Sequence, residues 1–111
     1  ADPVTMHAAA APAARAALAS AGCAPGELAA VELDETFAAA ALCAMSELDL
    51  DPSAVNRSGG SLALGDPPGA TGARLAVNLL AELERSGGRW GLAVAGGAGG
   101  VAQAVVLERL P

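Results

Sequence analysis

The sequence predicts an α/β fold, helices covering a mixed sheet. Three observations carry that reading. Apolar residues recur at helical spacing in three separate segments, short strand-like runs fall between them, and glycine-rich turns separate the two kinds of segment.

In order along the chain, Ala8 to Ala21 reads as a helix, with Pro12 in its first turn and Ala13, Ala16, Ala17 and Leu18 as a small apolar face. Gly22 ends it and Pro25-Gly26 makes a turn. Leu28 to Leu33 alternates Ala29, Val31 and Leu33 against Ala30 and Glu32, as a short strand does. Asp34-Glu35-Thr36 opens a second helix running to about Leu48, its acids suited to the positive helix end. Ser61 to Leu64 reads as a buried strand. A third helix starts near Thr71, with Leu75, Leu79, Leu80 and Leu83 on one face and a Glu82–Arg85 pair on the wet side. Trp90 to Ala95 and Ala102 to Arg109 are strands joined by the tight Gly96–Gly100 link, so they should run antiparallel.

Bulk properties bound the function. At 111 residues the chain is one domain at most. Hydrophobic residues make up 53% and charged residues 16%, which places it among globular rather than disordered chains. Roughly a quarter of it is alanine, so helices can pack closely, but little large apolar mass is available. The net charge is -6, and all six cations are Arg. Nucleic-acid backbones and anionic membranes are disfavoured partners for that reason. No apolar run reaches the ~18 residues of a membrane span, and no signal-peptide pattern opens the chain, so a cytoplasmic location is expected. Cys23 and Cys43 have no metal spacing and read as reduced structural thiols.

The most informative stretch is Asn56-Arg57-Ser58-Gly59-Gly60-Ser61-Leu62-Ala63-Leu64-Gly65-Asp66-Pro67-Pro68-Gly69-Ala70-Thr71-Gly72-Ala73-Arg74. It resembles, without a gap, the C-terminal motif of the thiolases, N-x-N-G-G-A-I-A-x-G-H-P-x-G-x-S/T-G-A-R. Three further segments resemble that family in the right order. Val31 to Ala39 is similar to V-E-x-N-E-A-F-A-A, Gly91 to Gly100 to G-L-A-x-x-C-x-G-G-G, and Met6 to Leu18 to M-G-x-G-P-x-P-A-x-x-x-A-L.

The resemblance implies acyl transfer between coenzyme A thioesters, with no cofactor beyond that substrate. In the family, a nucleophilic Cys of the N-terminal half takes the acyl group and the His of G-H-P activates it. The Asn of N-E-A-F holds a water that, with that His, forms an oxyanion hole, and a second Cys moves the Claisen proton. The nucleophile's position lies outside this chain. The other three positions hold Asp66, Asp34 and Gly96, and Ser58 stands at the second Asn of N-x-N. Phe37, Gly60, Gly65 and Gly97 are the expected pocket residues. Glu35, Gly59, Pro67, Gly69, Gly72 and Arg74 survive as scaffold.

Removing one oxyanion donor costs about 3–4 kcal/mol of barrier. Here a donor and a water-holder both become carboxylates, and Gly96 has no proton to move. Claisen chemistry by this chain alone is therefore not expected. Asp34 and Asp66 read either as a carboxylate acid–base pair, as in a thiolase-like aldolase (a lyase), or as a helix N-cap and a turn residue. His7, the only histidine, aligns with a glycine near the family's acyl pocket and reads as a loop residue without a chemical role.

Gly97-Ala98-Gly99-Gly100-Val101-Ala102 fits the dinucleotide pattern G-x-G-x-x-A. The following segment reads as a strand rather than a helix, which argues against nucleotide binding. The resemblance also implies a five-stranded sheet whose first, central strand precedes this chain. The strands assigned here would then leave a central gap. The expectation is an incomplete domain over 1–111, completed by an N-terminal thiolase half or partner chain in a homo- or hetero-oligomer.

Overall fold

The computed structural model describes residues 1–111. It contains a three-stranded mixed sheet flanked by helices on both faces. The strands are β1 (Leu28–Leu33), β2 (Trp90–Gly96) and β3 (Ala102–Glu108), in that spatial order. β1 pairs with β2 in parallel, Val31 opposite Leu92 and Leu33 opposite Val94. β2 pairs antiparallel with β3 over its whole length. The helices are α1 (Ala10–Ala21), α2 (Ala38–Leu48), the single turn α3 (Ser61–Leu64) and α4 (Thr71–Ser86).

Strand alternation sorts the core into two layers. Val31, Leu33, Leu92 and Val94 point to the face covered by α1 and α2, where Ala11, Ala14, Leu18, Ala44 and Leu48 are buried with them. Small residues on these helices let them sit close to the sheet, as the composition suggested. Ala30 and Ala93 point to the other face, onto Leu75, Leu79 and Leu83 of α4. Burying each of these leucines stabilises by about 1.5–3 kcal/mol. Glycine at residue 91 leaves room for the leucines of α4 against the sheet. A Cβ there would lie 2.7 Å from Leu79 Cδ1.

Four expectations change in the structure. Ser61 to Leu64 is a helical turn, not a strand, and only Ser61 is buried, while Leu62 and Leu64 are each 62% exposed. The carboxylate of Glu35 faces this turn and accepts from the Leu62 N–H, which favours a capped turn over sheet pairing. Helix α2 starts at Ala38 rather than at Asp34, because Asp34 spends its carboxylate on the Thr36 N–H and Phe37 is extended (φ -132°). Glu82 is buried instead of wet: Ser58 and Arg85 both donate to its carboxylate, which lowers its pKa. Leu80 is 51% exposed and does not share the buried face of Leu75, Leu79 and Leu83.

The central gap is also absent. β1 and β2 hydrogen-bond directly, and Val55 forms a parallel bridge to Val31 on the far side of β1. The sheet is continuous through the middle, so the argument for a missing interior strand falls. No helix is long and apolar enough to cross a membrane.

Candidate functional site

A cavity of about 290 Å³ opens where the chain leaves the carboxyl ends of β1 and β2. That is the end of a sheet at which α/β folds tend to place ligands. Leu33, Ala40, Ala44 and Val94 give it apolar walls, and Asp34, Thr36 and Phe37 line its approach from the β1–α2 turn. Gly96, Gly97 and Ala98 line it from the turn after β2, and Met6, His7 and Ala10 from the start of the chain. A second, larger cleft lies near the amino ends of the strands, where Asp49, Asp51, Arg57 and Ser86 join apolar residues such as Leu28, Val31 and Leu50 in its lining.

Asp34 sits at the end of β1, its own N–H held by the Val94 carbonyl at 2.9 Å. Its Oδ1 accepts from Thr36 N at 2.9 Å and from Thr36 Oγ1 at 2.8 Å. The same hydroxyl lies 3.5 Å from Asp66 Oδ2, and Thr71 Oγ1 donates to Asp66 Oδ1 at 2.6 Å. The two expected carboxylates thus meet at one threonine. Neither is a helix N-cap.

The loop carrying Asp66 is anchored from two sides. Asn56, buried and with φ at +46°, donates from Nδ2 to the Leu33 carbonyl (3.0 Å) and to Glu35 (2.6 Å), while its Oδ1 accepts from Leu33 N (2.8 Å). It acts as a side-chain extension of the sheet past the end of β1. Glu35 in turn lies against Gly60, where a Cβ would collide with its carboxylate. On the other side Arg74 donates to the Gly65 carbonyl and to Ser61 Oγ, each at 2.7 Å.

Beneath this loop, Glu32 of β1 is 1% exposed, with Oε2 unpartnered. Burial pushes its carboxyl up to about 7. Asn78 opposes that shift, and the nearby Glu82 and Glu35 add to it. Both thiols are free and lie outside the cavity. Burial raises the Cys23 pKa, and a hydrogen bond to Glu47 raises that of Cys43, so neither is a ready thiolate.

Of the expected site residues, the cavity takes in Asp34, Phe37, Gly96 and Gly97. Asp66 lies beside it, joined through Thr36, while Gly60 and Gly65 shape the adjoining loop from outside the lining. Sequence reading overlooked Thr36 and the bonds of Asn56, and it took His7 for a loop residue without a chemical role. Thr36 could have been found as a hydroxyl two residues after an aspartate. The resemblance had set His7 near the acyl pocket, and the structure places its side chain in the cavity lining. β3 follows the glycine link as a strand, so the dinucleotide pattern lacks the helix it needs.

The family model for the thiolase C-terminal domain matches residues 1–109. The chain is 46% identical over 110 residues to a steroid 3-ketoacyl-CoA thiolase of Mycobacterium tuberculosis, covering 99% of this chain and 27% of that protein. It is 45% identical over 109 residues to an acetyl-CoA acetyltransferase of Shinella zoogloeoides, covering 98% and 28%. The structure superposes on human mitochondrial 3-ketoacyl-CoA thiolase with a TM-score of 0.94 at 38% identity, covering 98% of this chain and 28% of that one. It superposes on Bacillus anthracis acetyl-CoA acetyltransferase with a TM-score of 0.95 at 39% identity, covering 99% and 28%. The chain spans little more than a quarter of the length of these relatives. Sequence, fold and the motif order along the chain agree: the chain belongs to the thiolase C-terminal domain family.

Proposed function

We propose that this chain acts as the C-terminal domain or subunit of a thiolase-superfamily assembly and walls a pocket for a coenzyme A thioester, without performing Claisen chemistry by its own residues. The cavity at the ends of β1 and β2 carries the reading, because its apolar walls end at Asp34 and Gly96. These are two of the positions that the resemblance assigns to chemistry. A carboxylate at Asp34 repels developing negative charge, and Gly96 offers no proton. The substrate class comes from the relatives, whose names are those of acetyl-CoA and 3-ketoacyl-CoA enzymes. An N-terminal thiolase region, on this chain or on a partner, completes the assembly and supplies the nucleophile. Val77, Leu80, Leu62 and Leu64, all more than half exposed, offer it an apolar surface. We place the assembly in the cytoplasm, in keeping with two unpaired thiols.

A second reading is an aldolase-like lyase that uses Asp34 and Asp66 as a pair. The threonine hydroxyl between them favours it. One experiment separates the two. The protein is isolated from its source, its mass is measured under native conditions, and the complete assembly is assayed for thiolysis of acetoacetyl-CoA and for retro-aldol cleavage of a 3-hydroxyacyl-CoA. The pocket-wall reading expects a bound second polypeptide or region and acyl-CoA binding, with both activities indifferent to Asp66→Ala. Cleavage of the 3-hydroxyacyl-CoA that Asp66→Ala abolishes would establish the lyase instead.

A further inference from the structure

The cavity has three side chains with hydrogen-bonding nitrogen or oxygen: His7, Asp34 and Thr36. Two of them are spent on each other, since Asp34 Oδ1 takes both the N–H and the hydroxyl of Thr36. That leaves the imidazole as the side-chain donor free for a ligand. Its ring packs edge-on against Phe37, centroids 5.1 Å apart at 69°. The turn that carries it, Pro3–Ala9, is capped by the bond from Val4 N to the Asp2 carboxylate. His7 is therefore held at the cavity mouth by its capped turn and by the Phe37 ring.

An acyl chain entering the apolar walls carries its thioester carbonyl to that mouth. A carbonyl stripped of water needs a donor, and the carboxylate of Asp34 repels its lone pairs. About 290 Å³ lies at the small end of ligand pockets, which suits a short acyl group. We propose that His7 is the residue that binds the acyl-thioester carbonyl in this cavity, with Phe37 holding the imidazole in position. The proposal rests on the acyl-thioester reading above and adds the group that recognises the carbonyl.

The test uses the full 111-residue chain and S-acetyl pantetheine as the probe. His7 is the chain's only histidine, so its imidazole carbon-bound proton gives an NMR line that needs no assignment. Trp90 is the only tryptophan and lies outside the cavity, so its indole N–H line reports the fold. The expected result is a saturable shift of the imidazole line with the same midpoint as the heat of binding. His7→Phe, which keeps an aromatic edge but no donor, should bind about tenfold more weakly with the Trp90 line unmoved, and His7→Gln should recover part of that loss. Binding with the imidazole line unmoved, or His7→Phe binding like the wild type, would overturn the role of His7 and leave the acyl-thioester reading standing. Absence of any heat or shift with the probe would overturn the role of His7 in this cavity, while the acyl-thioester reading is decided separately by acyl-CoA binding to the complete assembly.

Discussion

Asp34 and Asp66, 32 positions apart in sequence, meet at the hydroxyl of Thr36, which lies 2.8 Å from one carboxylate and 3.5 Å from the other. A hydroxyl has one proton, so it satisfies Asp34 and only screens Asp66. Thr36→Val removes the shared donor and leaves two like charges facing each other. The loss should be about 1 kcal/mol, seen as a Tm lower by roughly 4–8 °C. Thr36→Ser keeps the hydroxyl and should hold most of the wild-type Tm. Equal melting of Thr36→Val and wild type would mean that the bridge contributes nothing to stability.

Asn56 makes the costlier set of bonds. It satisfies both backbone groups of Leu33 and one oxygen of Glu35 from a buried site. Asn56→Ala strands a buried N–H and a buried C=O, so unfolding in urea should show a loss of about 2–4 kcal/mol. Asn56→Asp is the sharper variant. It keeps the acceptor for Leu33 N but removes the donor and sets a carboxylate against Glu35. It should also destabilise, and by more than Asn56→Ala, because a second carboxylate then faces Glu35 in a buried site. A neutral outcome for both variants would rule out the clamp.

The α/β class, three of the helices and all three strands of the sheet were legible in the sequence, because periodicity and turn residues are local signals. What was not legible depended on contacts between distant residues. Ser61 to Leu64 carries a strand-like composition, yet it forms a helical turn, closed by backbone bonds onto Gly60 and Ser61, with Glu35, 26 or more positions earlier, accepting from Leu62 N. Glu82 looked like half of a surface pair, yet Ser58 and Arg85 hold it in a buried site. The order of the strands also escaped. A parallel β1–β2 contact joins segments separated by three helices and has no mark in either strand. Within the site, Asp34 and Gly96 were found through the motif, whereas His7, which the alignment set near the acyl pocket, was taken for an inert loop residue until the fold put its ring against Phe37 in the cavity lining.

Glu32 makes stability depend on pH in an unusual direction. Its carboxyl is pushed by burial from 4.5 up to about 7, with Asn78, Glu82 and Arg74 of α4 and Glu35 of the following turn as its charged and polar neighbours. The folded chain therefore holds this proton after the unfolded chain has released it. The contribution of Glu32 is favourable below pH ~4.5, is lost progressively as pH rises to ~7, and is flat above that. Glu32→Gln removes the titration. Relative to wild type, the variant should gain up to about 3 kcal/mol between pH 4 and pH 8, measured by denaturant unfolding across that range. A difference that stays constant with pH would show that Glu32 does not hold its proton in the folded state.

Helix α4 presents two apolar faces with different fates. Leu75, Leu79 and Leu83 are buried on the sheet, whereas Val77 and Leu80 are 64% and 51% exposed. Leu79→Ala should cost about 2–5 kcal/mol, since Ala30, Gly91 and Ala93 below it are too small to fill the space. Leu80→Ala should change the stability of this chain by less than about 0.5 kcal/mol. The two variants part company again in the assembly proposed here. If the exposed face seats the N-terminal thiolase region, Leu80→Glu should leave the melting of this chain unchanged but weaken that association, because a carboxylate would be desolvated at the contact. Native mass spectrometry of the assembly, read beside the melting curve, gives both numbers. Full association of the Leu80→Glu variant would exclude this face of α4 as the contact.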